Sequence, residues 1–418
     1  MQIRRIRNVD ELSTLTSDWN RLCAGVPFRS VEWLMTWWRH YEPAMSMDHR
    51  KVELYVLCVS EGNELIGLAP WYIERSLSGG QIVRFLGSGE VCSDYLNILC
   101  QEIRQTAVAE ALADWLTRSC KSTGSQSDGW DIIELTGVDA CETMPRQLAD
   151  QLHQRGAEIQ SFETENTWRI ELPATLDEFL GELSKSHRKQ LRQFQRRFFD
   201  TNRAVLRTVD HVDRFETGWR ILTDLHQRRL QSLGKPGCFQ SNTFEQFHRA
   251  VTELFFRQGR LGLHWLEFDG RPVAAEYQIL GDDVVFAYLG GIEPDALECE
   301  PGRLITFATL QRAIEDEYRG FDFCRGDEPY KSHWRATPRA NVSWRVVSTR
   351  SSARLRNRLW TAGQSARKWI KRVLDPHRLP APDRSDTTAE FPARSKQALN
   401  ADERATVADE CNVILPCK

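Results

Sequence analysis

Three short stretches of this 418-residue chain combine residue types that could do chemistry. In the first, Pro301, Gly302 and Arg303 open a helical pattern. Glycine lets a ligand approach the backbone closely, and the first N–H groups of a helix lack partners and carry partial positive charge. Arg303 adds a cation with bidentate geometry for phosphate, so the three together suit a pyrophosphate. The plainer alternative is a loop that ends before an ordinary helix. In the second stretch, Glu276 stands among Ala274, Ala275, Tyr277 and Ile279. Burial of such a strand would raise the carboxyl pKa toward a value useful for a general base; otherwise Glu276 faces solvent at a strand edge or pairs with Arg271. The third holds Asp322 between Phe321 and Phe323, an acid either used in chemistry or capping a loop.

The elements that position these residues are legible from periodicity and turn signals. In residues 1–160 the pattern predicts a helix over 30–41, strands at 52–59, 65–73, 82–86 and 95–99, a helix over 104–119, a strand at 130–135 and a helix near 144–155. Residues 165–350 repeat that grammar. A strand at 168–172 precedes a basic helix over 184–202, helices over 212–232 and 243–258, strands at 262–268, 273–280 and 284–290, a helix over 302–318 and a strand at 320–324. Helices packed around mixed sheets, an α/β (α+β) fold, are what this order implies. Residues 54–73 and 263–280 both read strand, tight turn, strand, a weak internal echo that suggests two copies of one unit. Residues 351–374 form a basic amphipathic helix, in one piece or two about Gly363, suited to a peripheral membrane or synthase contact. Residues 375–418 lose periodicity and read as a disordered tail.

Bulk properties remove several function classes. The formal charge of −3 sets up no global field for nucleic acid, and no DNA partner is expected. Eleven cysteines without a CxxC pair fit reduced thiols better than a disulfide framework, and no metal is expected. The first residues lack the apolar core of a signal peptide, and no run nears the ~20 apolar residues that span a bilayer. A soluble, cytoplasmic protein is the expectation.

Four passages then carry a family resemblance: SVEWLMTWWRHY, LSKSHRKQLRQFQRRF, HQRRLQSLGKPGCF and FDFCRGDEPYKSHW. In their order and spacing, across roughly 28–347, the chain resembles GNAT-superfamily acetyltransferases. More narrowly, it resembles the CelD-like branch of cellulose and exopolysaccharide biosynthesis, with a BioF2-like acetyltransferase domain, and it is similar in architecture to Fem-type aminoacyltransferases. The resemblance implies tandem GNAT-like domains: a degenerate copy at 1–160 and an active one at 161–350. It implies acetyl-CoA or another acyl-CoA as co-substrate. The strand over 284–291 would present backbone N–H groups to the thioester carbonyl, with Leu289 and Gly290 nearest the loop. Tyr330 would protonate the leaving thiolate, and Lys331 would bind phosphate or stabilise a tetrahedral oxyanion. His226 and Arg228 belong to a second motif of the family, and Asp94 and Tyr95 would line the cleft between domains.

The function that follows is acyl transfer from acyl-CoA to an amine or hydroxyl of a sugar, polysaccharide or cell-envelope precursor. Two alternatives stay open. One is Fem-type transfer from aminoacyl-tRNA, for which the basic helix would suit RNA phosphates. The other is a non-catalytic GNAT-fold accessory protein of exopolysaccharide synthesis.

Overall fold

The computed structural model describes residues 1–47, 50–76, 79–121 and 128–374; the expected tail at 375–418 lies outside them. The first half runs β1 (Gln2–Ile6), α1 (Val9–Leu12), α2 (Thr16–Leu22), α3 (Val31–Met47), β2 (Lys51–Leu54), β3 (Val56–Glu61), β4 (Glu64–Ala69), β5 (Trp71–Ser76), β6 (Gly80–Phe85), β7 (Leu99–Cys100), α4 (Gln105–Cys120), β8 (Ile132–Asp139), α5 (Thr143–Gln154) and β9 (Glu158–Glu171). The second runs α6 (Leu176–Glu182), α7 (Lys185–Phe194), β10 (Ala204–Thr208), α8 (Val212–Ser232), α9 (Asn242–Arg257), β11 (Leu261–Phe268), β12 (Arg271–Leu280), β13 (Val284–Ile292), α10 (Pro301–Glu315), β14 (Gly320–Arg325), α11 (Tyr330–His333), β15 (Thr337–Val347) and α12 (Ser351–Leu374).

The two halves share one topology. Each has an edge strand, helices, an antiparallel hairpin, a third antiparallel strand, a crossing helix and a strand parallel to the third. The parallel pairs match in length: Ile82–Arg84 lies beside Ile132–Glu134, and Val284–Phe286 beside Gly320–Asp322. The fold is thus a tandem of two units of like topology, with mixed sheets flanked by helices.

The units are fused by an exchange of their last strands. β9 pairs with β14 of the second half, β15 pairs with β8 of the first, and the two pair with each other. One eleven-stranded sheet results, in the order β10-β11-β12-β13-β14-β9-β15-β8-β6-β5-β2. The expected boundary between residues 160 and 161 falls inside β9, which serves both halves. A four-stranded sheet, β1-β3-β4-β7, peels away where the first hairpin bends at Tyr55 and at Pro70, which has no N–H to give a ladder.

Local chemistry sets the elements that matter for the site. The β11–β12 turn has both Asp269 and Gly270 at positive φ, 46° and 80°, the requirement of a tight two-residue hairpin. Ser241 caps α9 by accepting the Phe244 N–H at 3.3 Å. The apolar stripe of α3 packs against α9, with Trp33 5.0 Å from Phe247, so the halves share one large core. A second core lies between β12–β14 and α10.

Several expectations need correction. The strand at 95–99 is confined to Leu99–Cys100. The preceding residues form a buried loop, with Cys92 and Tyr95 at positive φ, because their polar groups pair with the other half rather than with a ladder. The single basic helix over 184–202 ends at Phe194 and continues as a π turn, Gln195–Phe199. The strands β1, β10 and β15 were not anticipated, being short or interleaved with charges. α12 runs unbroken past Gly363.

Candidate active site

β13 and β14 are hydrogen-bonded only as far as Phe286 and Asp322 and then diverge. On its other side β13 bulges against β12, where Tyr277 faces Leu289 and Gln278 faces Ala287, leaving Tyr288 as the extra residue. A bulge leaves backbone groups off the ladder, and a splay leaves others facing a gap. Gly290 and Gly291 follow immediately. A Cβ on Gly291 would lie 2.3 Å from the His226 backbone nitrogen, so only glycine lets α8 lie on the strand.

A small cavity of about 20 Å³ opens here, lined by Glu276, Gly290, Gly291, Thr306, Phe323 and Tyr330 among others. Glu276 is 5% exposed, and burial raises its carboxyl to about 7. It accepts hydrogen bonds from Gln278 Nε2 and, at 3.4 Å, from the Thr309 hydroxyl on α10. It neither faces solvent nor pairs with Arg271. A carboxyl that titrates near neutrality beside an open cleft is suited to proton transfer.

The polar side chains behind Glu276 escaped the sequence reading. Gln278 also meets His264, whose Nδ1 shares a hydrogen bond with the Thr208 hydroxyl at 2.9 Å. Burial, with a smaller effect of Arg312, lowers His264 to about 4, so the ring is neutral. A polar row therefore crosses β12, β11 and β10 beneath α10. The signal was available: Glu276 and Gln278 share one face of a strand that from Val273 to Leu280 is otherwise aliphatic or aromatic.

The remaining candidates divide by location. Tyr330 is buried at the start of α11 with its ring 5.8 Å from Phe323, and it lines the same cleft as Glu276. Lys331 is fully buried, and its Nζ donates to the carbonyls of Cys324, Arg325 and Gly326 at 3.2, 3.1 and 2.9 Å and pairs with Glu328 at 2.9 Å. Its donors hold the turn after β14 together, which leaves none for a phosphate or an oxyanion. Asp322 points to the opposite sheet face from Phe323. It accepts from the Tyr95 hydroxyl and from the Cys324 N–H at 2.7 Å, and burial raises it to about 6. Asp94 accepts from the Arg325 N–H and Nε, both at 2.9 Å. Asp94, Tyr95 and Asp322 are thus one clamp between the halves, separate from Glu276.

His226 donates from Nδ1 to the Gly290 carbonyl at 2.7 Å; its Nε2 has no partner among the described residues, and burial lowers it to about 4. It braces the bulge as a neutral ring. Arg228 pairs with Glu293 and with Asp224 at 3.2 Å. Leu289 is buried in the large core.

Pro301 and Gly302 begin α10 as expected, with no side-chain cap on the helix start, but the Arg303 side chain beside it is already paired. Glu300, at φ 50°, accepts the N–H groups of Arg303 and Leu304 on its carbonyl at 3.0 and 3.1 Å. Its carboxylate pairs with Arg303 at 2.5 Å, and Arg303 also donates to Gln190 at 2.7 Å. The loop further carries Glu293, Asp295 and Glu298. Arg303 is therefore committed to Glu300 and Gln190.

Residues 185–332 match the family model of the acetyltransferase (GNAT) domain. Among solved structures, the chain is similar to FemX at 9% identity, covering 82% of this chain and 97% of that one, with a TM-score of 0.58. It is also similar to a conserved protein of unknown function from Bacteroides thetaiotaomicron at 12% identity, covering 83% and 100%, with a TM-score of 0.50. At these identities the likeness is one of fold. No curated protein matches the chain. The residues that match the acetyltransferase (GNAT) model run from α7 to α11 in the second of the two fused units and include Glu276.

Proposed function

We propose that the chain transfers an acyl group from acyl-CoA to an amine or hydroxyl, with Glu276 as the proton acceptor. The observation that supports this most directly is a carboxyl held near neutrality in a cleft between two diverging strands. The thioester carbonyl lies against β13 beside Gly290, where off-ladder N–H groups stabilise the developing oxyanion. Glu276 takes the proton of the attacking nitrogen or oxygen as the new bond to carbon forms. The carbon–sulfur bond then breaks, and the Tyr330 hydroxyl returns a proton to the thiolate. The acceptor we favour is a sugar, polysaccharide or envelope precursor, the class implied by the CelD-like resemblance.

One observation favours a second reading. With Arg303 held by Glu300 and with acids along the loop, the helix start is poorly prepared for pyrophosphate. An aminoacyl ester carried on tRNA needs no pyrophosphate site, and α7 with the π turn after it presents exposed Lys185, Lys189, Arg192 and Arg196 to a polyanion. Calorimetry separates the two. Acetyl-CoA should bind the full chain, and Glu276→Gln should keep that binding while losing turnover. Absence of acetyl-CoA binding together with binding of aminoacyl-tRNA would hand the cleft to the second reading.

A further inference from the structure

Two leucines of α12, Leu355 and Leu359, point away from the protein they belong to. The helix docks on β15 through Ala353 and Asn357, which are 0% and 2% exposed. Asn357 accepts from Arg345 Nε at 2.9 Å, and the Arg345 guanidinium lies 4.1 Å over the Trp360 ring. Leu355 and Leu359 lie two residues further on, about 200° around the helix at 3.6 residues per turn. They are 60% and 66% exposed. Phe162 of β9, 43% exposed, stands 6.4 Å from Trp360 and extends the apolar surface. The sequence continues the Leu355–Leu359 phase at helical spacing with Ala362, Ala366, Trp369, Ile370 and Val373.

Charge says what covers this face. Every ionisable side chain type between Ser351 and Leu374 is Arg or Lys; there is no acid. The two innermost cations are already matched, Arg354 by Glu158 at 3.3 Å and Arg356 by Asp131 at 3.1 Å. Arg358 is exposed beside the leucines, and the sequence adds Arg367, Lys368, Lys371 and Arg372. A second protein surface would need both an apolar groove and a dense acidic rim. A bilayer with anionic lipid supplies both properties at once. No helix among the described residues is long and apolar enough to cross a membrane, so α12 would lie on the surface and not span it.

We propose that α12 is a membrane-surface helix that sets Leu355 and Leu359 into the headgroup boundary of a bilayer rich in anionic lipid. This stands independently of the acyl-transfer reading. The test is cosedimentation of the full chain with vesicles of mixed phosphatidylcholine and phosphatidylglycerol, against vesicles of phosphatidylcholine alone. Binding should favour the anionic vesicles and weaken with salt. Arg358→Ala should lower the partition coefficient about fivefold, the value of one cation near such a surface. The double variant Leu355→Ser, Leu359→Ser should lower it more than about tenfold. Both leucines are exposed, so the fold is retained, and far-ultraviolet circular dichroism checks that. Equal binding to both vesicle types, or none, overturns the proposal. So does a concentration-dependent dimer abolished by the double variant, which would assign the face to a second copy of the chain.

Discussion

The two halves have the same strand order and the same parallel pair, and the cavity beside Glu276 lies in the second. In the first, Gly67 of β4 packs under α4 so closely that a Cβ there would lie 2.6 Å from Val108 Cγ1. The buried part of β4 is Leu65, Ile66, Gly67, Leu68 and Ala69, with no titratable group. In the second, the corresponding helix α10 faces β12 with Thr306 and Thr309, and the strand answers with Glu276 and Gln278. A helix that closes on glycine gives a dry core. A helix that meets the sheet through hydroxyls leaves polar groups that need a partner or a substrate. The fold is therefore permissive, and the side chains under the crossing helix decide which copy does chemistry.

The largest expected effect comes from making the second half resemble the first. Glu276→Gln should lower kcat by about 10²–10⁴-fold, with acyl-donor affinity kept, as measured by steady-state kinetics and calorimetry. In the parent protein, activity should rise with pH through about 7 as Glu276 ionises. An unchanged rate would remove Glu276 from the mechanism. Stability follows its own sign. A folded pKa of about 7 against 4.5 means that the native state holds the extra proton between those values, so this group makes stability fall as pH rises through that window. Asp322, at about 6 against 3.8, acts in the same direction. His226 and His264, lowered from 6.5 to about 4, act oppositely, because the unfolded chain binds their protons first. Denaturation of Glu276→Gln across this range should show a weaker loss of stability above pH 6 than the parent.

Next in size is the clamp that joins the halves. Asp94→Ala leaves Arg325 without its buried partner and should cost about 3–5 kcal/mol of unfolding free energy in urea, with the Glu276 cleft unaltered in the surviving folded fraction. Loss of acyl-donor binding in that fraction would mean that the clamp belongs to the site after all. Gly291→Ala forces α8 off β13 and should cost about 1–3 kcal/mol, with a fall in kcat because the bulge moves. The smallest effect is at the start of α10. Glu300→Gly removes the acid that holds Arg303 and places glycine at a left-handed φ, so CoA should bind about two- to fivefold more tightly with stability unchanged or slightly raised. Weaker binding would show that Glu300 contributes to the donor site.

Much of the architecture was legible beforehand because it rests on local signals. The Asp269-Gly270 turn, the capped α9 and the apolar runs of β12 and β13 announce themselves through residue type and period. The loop carrying Asp94 and Tyr95 did not, because its order comes from Arg325 and Asp322, more than 220 residues away along the chain. The candidate site divided in the same manner. Glu276 could be read as a buried acid from its immediate neighbours. Whether Lys331 was free, or spent on the carbonyls of a turn, depended on a fold-back that spacing alone does not reveal.

The sequence by itself determined the kind of most of the longer elements, the repeated order of the two halves and the presence of an acid in an apolar strand. Those properties follow from periodicity and side-chain chemistry within a few residues. Only the tertiary structure decided which candidates meet. It set Glu276 and Tyr330 in one cleft, turned Asp322 to the opposite face to join Tyr95, committed Arg303 to Glu300, and exchanged β9 and β15 between the units. The physical reason is that strand alternation and helix capping are local, whereas partner choice for a buried charge depends on what the rest of the chain brings within hydrogen-bond reach.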